Sequence, residues 1–346
     1  MSRSELTYLI TQQEQHVARW LQNSANPFPD LLAEADALRQ RYFGKRVFLR
    51  GLIEYSNHCV RGCLYCGLRE PNRHVKRYRL SAKEILACVR RGHQLGFQSF
   101  VLQGGEDPHY NGGGMVDVVA QIKAEFPHCA ITLSMGELPD EMYARLRAVG
   151  ADRYLLRHET ANAEHYAKLH PASMRLQSRV RCLETLRGLG FAVGAGFMVG
   201  TPHQTQETLA EDLVFLRHLQ PDMVGIGPFL PQSDTPFAKA SPGALAMTLT
   251  MLALTRILLP RAPMPATTAL GTLIPSGREL GLRCGANVVM PNLTPAERRP
   301  DYLLYDGKIG IDSNLRQITA AIESIGQIPD FSRGDPISPA ISQVQG

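Results

Sequence analysis

The sequence predicts a complete (β/α)8 barrel: a parallel sheet closed on itself inside a ring of helices. Three observations carry this. Eight apolar, β-rich runs follow one another at residues 47–55, 99–102, 130–133, 153–156, 192–198, 223–229, 264–269 and 286–290. Helical stretches separate most of them, and alternating strands and helices are the pattern of a parallel α/β fold. The runs are near-continuously apolar, as strands buried on both faces must be.

The elements can be justified in order. Residues 1–45 read as leading helices, an extension ahead of the barrel. Ser24-Ala-Asn-Pro-Phe-Pro29 interrupts them, and a helical pattern resumes over 30–42. The first five helices between strands fall at 81–95, 116–126, 140–149, 175–189 and 206–219. Ser81 and Glu84 have the spacing of a capping box. Gly96, Gly150 and Gly190 stand where helices end in a left-handed residue. A sixth helix lies within 244–259, and 277–283 provides a short seventh before strand eight. The barrel therefore occupies 46–325. Residues 326–346, rich in Pro, Ser and Gly, read as a short tail, flexible in part.

The chain has 346 residues, 44% hydrophobic and 20% charged, which suits an enzyme with a large core. The longest apolar stretch, 245–259, is interrupted by Thr248, Thr250, Thr255 and Arg256, so no membrane span is expected. With no targeting signal in view, the chain reads as soluble and cytoplasmic, where thiols stay reduced. The net charge of +5 comes from 37 basic and 32 acidic residues with no block of like charge. That describes a solvated surface rather than a nucleic-acid interface.

Chemistry concentrates in one loop, Tyr55-Ser-Asn-His-Cys59-Val-Arg-Gly-Cys63-Leu-Tyr65-Cys66-Gly67-Leu-Arg69. Three thiols at Cys-x3-Cys-x2-Cys spacing are one short of a closed four-cysteine cluster and one more than a redox dithiol. Three ligands on a cubane 4Fe-4S cluster leave one iron open, and an open position marks a reactive metal centre. A zinc knuckle would want a fourth ligand, yet His58 and His74 sit at no usual zinc spacing. A disulfide framework does not suit a long chain with seven cysteines. Cys88, Cys129, Cys182 and Cys284 fall in helices or before strands and read as buried, inert thiols.

This loop, with an aromatic before the third cysteine, resembles that of the radical S-adenosylmethionine (SAM) enzymes. The resemblance implies a cluster ligated by Cys59, Cys63 and Cys66. It also implies SAM chelated on the open iron and cleaved by one electron to a 5'-deoxyadenosyl radical.

Barrel enzymes react at the carboxyl ends of their strands. Strand two ends in Gln103-Gly104-Gly105-Glu106-Asp107, where glycines let backbone approach a ligand. Strand four ends in Arg157-His158-Glu159-Thr160. Alternation puts Arg157 and Glu159 on one face, as a structural ion pair or as contacts to ribose hydroxyls and an anion. Strand five, Gly194-Ala-Gly196-Phe-Met198-Val-Gly200, has glycines that leave the interior roomy but not the spacing of a dinucleotide loop. Strands six to eight end in Gly225-Ile-Gly227-Pro228, Thr267-Thr268-Ala-Leu-Gly271 and Met290-Pro291-Asn292. Such walls suit a compact polar or metal-bearing substrate.

Several of these segments together resemble the HydE family of FeFe-hydrogenase maturases: Tyr-Cys-Gly-Leu-Arg after the second cysteine, Val-Leu-Gln-x-Gly-Glu-Asp at strand two, Arg-Tyr-Leu-Leu-Arg-His-Glu-Thr-Ala-Asn at strand four, Pro-Ala-Thr-Thr-Ala, and Leu-Arg-Cys-Gly-Ala-Asn-Val-Val-Met-Pro-Asn. The likeness runs over roughly residues 40–310 in the same order. It implies a substrate that is an iron complex with carbon monoxide, cyanide and chelating cysteine, whose sulfur the radical attacks. Other hydrogenase maturases and an electron donor are the implied partners, with no nucleic acid and no membrane. Tyr65 would border the adenine; Gly104, Gly105, Glu106, Glu159, Arg179 and Met290 would contact SAM. Arg157, Thr267 and Thr268 would line the substrate site, closed by Tyr302 and Tyr305. Arg179 could equally be a surface helix residue, and the two tyrosines packing aromatics. No cysteine follows Cys284, so a second C-terminal cluster is not expected. The competing readings are a methylornithine synthase-like mutase, a biotin synthase-like sulfur insertion and a non-catalytic cluster carrier. The spare cysteines do not sit at strand ends, which disfavours the second. The SAM-like strand ends disfavour the third.

Overall fold

The computed structural model describes residues 1–23, 28–308 and 314–337. The break expected at 24–29 lies largely outside them, as does the tail beyond 337. The first barrel stave is split in two, β1 (Arg46–Leu49) and β2 (Gly51–Ser56), joined through the buried Arg50. It is followed by β3 (Ser99–Gly104), β4 (Ala130–Ser134), β5 (Arg153–Leu155), β6 (Ala192–Ala195), β7 (Met198–Val199), β8 (Met223–Val224), β9 (Gly227–Pro228), β10 (Val288–Val289) and β11 (Ile328–Asp330). One parallel sheet runs β2-β3-β4-β5-β6-β8. Above it, β7 and β9 continue staves five and six as a parallel pair.

The ring closes through the seventh and eighth runs. Val224 donates its N–H to Pro263 O at 3.1 Å, and Asn287 donates to Met264 O at 2.8 Å. Pro265 bridges to Val288, β10 pairs with β1, and Leu52 bridges to Asn292. Eight staves thus enclose one interior, as the alternating pattern requires. The seventh run is shorter than its sequence suggests. Thr267 accepts a hydrogen bond from Leu270 N and caps a helix, Thr268–Leu273, so 267–269 turn away from the sheet. A threonine hydroxyl satisfies an orphan helix donor better than it extends a strand.

The helices carry the expected caps. Ser81 and Glu84 form the reciprocal box ahead of helix Ala82–Gln94. Gly96, Gly150 and Gly190 adopt φ of +95°, +100° and +78° just past their helices, which a side chain would resist. Helices Arg3–Gln22 and Asp30–Phe43 pack on helix Leu245–Leu258, which is buried along most of its length, its threonines and Arg256 included.

Several elements were not foreseen, helix Leu315–Ser324 and the short helix Thr268–Leu273 among them. Helix Ala163–Leu169 fills the link after β5, and β11 lies within the segment read as a tail. β11 pairs in parallel with β1, and Asp335 accepts from the buried Arg153 at 2.7 Å. Residues 328–335 therefore close the amino-terminal end of the barrel, opposite the cysteine loop.

Candidate active site

At the carboxyl ends of the strands lies a cavity of about 320 Å³. Cys63, Tyr65, Cys66, Gly104, Arg157, Glu159, Arg179, Thr267, Thr268, Met290, Tyr302 and Tyr305 all line it. Twelve residues named from the sequence thus share one space, although they come from seven different staves or links. Cys59, Gly105 and Glu106 stand just behind that lining.

The cysteine loop is held against β3. A Cβ on Gly105 would lie 2.2 Å from His58 O and 2.7 Å from the Cys59 Cβ, so glycine here lets the loop close onto the strand end. Val60 N donates to Glu106 O at 3.1 Å. All seven cysteines are unpaired, but only Cys59, Cys63 and Cys66 are partly exposed. Burial pushes the Cys63 thiol up to about 12 and the other two in the same direction. Such thiols lose their protons readily only to a metal centre or a strong base.

Three ion pairs stand in or beside the cavity wall. Arg61 Nε contacts Glu106 Oε2 at 2.5 Å. Arg179 Nε donates to Glu137 Oε1 at 2.8 Å while its Nη1 donates to Arg157 O at 3.0 Å. Arg157 grips Glu159 with two bonds, Nε to Oε1 at 3.0 Å and Nη2 to Oε2 at 2.8 Å. The structural ion pair envisaged for strand four is therefore formed, and it faces the cavity. Arg179 is buried at the rim and is not a surface helix residue. Burial raises the Glu106 carboxyl, outweighing the pull of Arg61 and Arg179.

Glu159 owes its aim to an unusual backbone. Its φ is +67°, a left-handed conformation that a side chain enters at a cost. Glu159 N donates to Gly196 O, and Gly196 N donates to the buried His158 Nδ1 at 3.3 Å. His158 Nε2–H then reaches Asp212 Oδ1 at 3.2 Å. Burial holds His158 neutral, depressed to about 3.

Similar proteins place this site in a family. The model of the radical SAM superfamily matches residues 53–216. The FeFe-hydrogenase maturase subunit HydE of Thermotoga maritima is 52% identical over 275 residues, 80% of this chain and 78% of that one. The chain belongs to the HydE family of maturases. It is thus a radical SAM enzyme, a class that works with a 4Fe-4S cluster and SAM. The 3-methylornithine synthase of Methanosarcina acetivorans is 28% identical over 85% of this chain and 83% of its own. The crystal structure of methylornithine synthase superposes with a TM-score of 0.76 at 25% identity, covering 94% of this chain and 97% of that one.

The residues present fit those groups. Three unpaired thiols lie on one loop, and two of them, Cys63 and Cys66, line a cavity that also offers carboxylate, guanidinium and thioether side chains. Among the described residues, no three His, Cys, Asp or Glu side chains converge on a single ion-sized point. Ligands of a cubane each bond a different iron, so for a HydE-type cluster they need only face a common space.

Sequence reading missed a second polar group in the same cavity. Glu54 on β2 is buried between Lys308 and Asn292, whose Nδ2 donates to Oε2 at 2.9 Å. Gln103 Nε2 donates to Tyr302 OH at 3.3 Å. The one available signal was a lone acid in the apolar run 47–55. Helix Ala163–Leu169 also supplies what sequence did not show. It delivers His170, whose Nε2 lies 3.2 Å from Tyr65 OH.

Proposed function

We propose that Cys59, Cys63 and Cys66 hold a 4Fe-4S cluster whose fourth iron is left for SAM, and that this chain directs the resulting chemistry at a small substrate of FeFe-hydrogenase assembly. When bound, cluster and SAM supply a 5'-deoxyadenosyl radical after one-electron reduction. One observation carries the reading: Cys63, Tyr65 and Cys66 share a single cavity with the Arg157–Glu159 pair and Arg179.

In this reading Tyr65 borders the adenine and Met290 packs beside it. Glu159, aimed by its left-handed backbone, accepts from ribose hydroxyls. Arg179, fixed by Glu137, faces the SAM carboxylate. Gly104 would leave room for the methionyl amino group, while Gly105 and Glu106 would act through the cysteine loop and Arg61. A ribose on Glu159 competes with Arg157 for the same oxygens. It frees the guanidinium to face a substrate anion beside Thr267 and Thr268. Tyr302 and Tyr305 cover that end. The substrate is a sulfur-bearing, iron-linked complex with a chelating cysteine, received from and passed to other maturases, in a cytoplasm that supplies the electron donor. No helix among the described residues is long and apolar enough to cross a membrane.

The HydE relative at 52% identity supports the hydrogenase role over the mutase reading, which rests on 28% identity and a shared barrel. Deleting the gene from a host that makes an FeFe-hydrogenase tests it. The hydrogenase should accumulate inactive and recover when the gene is restored. Full hydrogenase activity in the deletion strain would reject the role.

A further inference from the structure

The loop after stave eight is tied to four different parts of the barrel mouth. Gly67, next to Cys66, donates its N–H to Leu304 O at 2.9 Å. A Cβ on Gly67 would lie 2.1 Å from Leu303 O, so the two loops touch through backbone. Asp306 N donates to Pro231 O at 3.1 Å, and Ser233 N donates to Asp306 Oδ2 at 2.8 Å. Tyr302 OH accepts from Gln103 on β3.

The fourth tie is of another kind. Lys308 turns inward, donates to the Glu54 carboxylate and to Tyr302 O at 3.0 Å, and sits 4.8 Å from the centre of the Tyr302 ring. The lysine side chain is 9% exposed and the glutamate 1%. Glu54 is otherwise saturated: its N–H goes to Thr294 Oγ1 at 2.8 Å, its carbonyl accepts from Tyr78 OH at 2.7 Å, and Oε2 accepts from Asn292. The carboxylate is therefore rigid, and Lys308 is the movable half of the pair. An isolated buried charge is costly, so a loop that lifts away strands Glu54 and meets a penalty that holds it down.

We propose that Lys308 is a positioning residue that latches the segment 302–308 as a lid over the cavity. By doing so it sets how firmly this chain retains a small cysteine-derived substrate. The inference rests on the cavity's being the active site. Tyr302, Leu304, Tyr305 and Lys308 all line it, so releasing the latch loosens the roof of the cavity. A closed roof keeps water from a radical and gives the bound molecule time to react.

The latch is tested on Lys308→Met, Lys308→Arg and the charge-free pair Glu54→Gln/Lys308→Met, which leaves no stranded carboxylate should Lys308→Met fold poorly. Amide exchange over 302–308, measured without SAM, should quicken on the order of tenfold in both methionine variants and stay near wild type in the arginine variant. With the reconstituted enzyme, affinity for 1,3-thiazolidine-4-carboxylate as probe should fall about tenfold in the methionine variants, with SAM affinity changed less than twofold. Unchanged exchange in both methionine variants would overturn the proposal, as would equal losses of probe and SAM affinity. Failure of the active-site reading is distinct. It shows as wild-type protein that does not bind SAM, whereas the exchange measurement decides the latch in either case.

Discussion

Tyr65 donates a hydrogen bond from its hydroxyl to His170. The phenol oxygen lies 3.2 Å from Nε2, and the imidazole is oriented because Nδ1 lies 2.9 Å from Tyr166 O, which can only accept. Nδ1 therefore carries the proton and Nε2 is the acceptor. The Tyr166 ring stacks on the imidazole at 3.9 Å, and Leu64 N donates to Leu169 O at 2.9 Å. A short helix outside the barrel repeat thus fixes the aromatic between the second and third cysteines. Replacing His170 by Phe should weaken SAM binding about tenfold, since a buried hydroxyl without a partner costs about 1–3 kcal/mol. Gln, which can still accept, should restore most of it. Tyr65→Phe combined with His170→Phe should cost little more than either alone, as measured by SAM titration. Additive losses would mean the two residues act separately.

Glu159 tests the backbone argument. Ala and Gly at this position both remove the pair with Arg157, but only glycine tolerates φ of +67° freely. Glu159→Gly should be more stable than Glu159→Ala by about 1 kcal/mol in urea unfolding. Equal stability would show that the left-handed conformation carries no strain.

Much of this site was legible because its parts follow short-range rules. Glycines end helices, Ser81 caps one, and eight apolar runs in series leave few folds other than a closed parallel barrel. The strand-four motif pointed to Arg157 and Glu159 because alternation puts them on one face. What stayed hidden depends on distance along the chain. Glu54 and Lys308 are 254 positions apart, and nothing local in either marks its partner. Helix Ala163–Leu169 is seven residues long, too short for its periodicity to stand out. The strand Ile328–Asp330 carries a proline and only one apolar residue, so it read as tail. Its pairing comes from the exposed edge of β1.

His170 makes stability depend on pH. Burial depresses it to about 4, below its unfolded value near 6.5. Between these values the unfolded chain binds a proton that the folded protein refuses. The contribution is intact above about pH 6.5 and is lost progressively as pH falls toward 4, by at most about 1.4 kcal/mol per unit. Cluster-free wild-type protein should melt at steadily lower temperature from pH 6.5 to 4.5, and His170→Gln should show a shallower fall. Parallel curves would show that His170 titrates alike in both states.

The thiols should separate into two sets. Cys88, Cys129, Cys182 and Cys284 are buried, whereas the three loop cysteines are partly exposed. In cluster-free native protein, iodoacetamide should modify Cys59, Cys63 and Cys66 first, and the other four only after unfolding, as read by peptide mass spectrometry. Early labelling of any of the four would contradict the packing described.

The central claim is that the three-cysteine loop builds the centre that cleaves SAM. Protein reconstituted with iron and sulfide, reduced with dithionite and given SAM, should form 5'-deoxyadenosine, and Cys63→Ala treated identically should form none. Continued SAM cleavage by Cys63→Ala would contradict it.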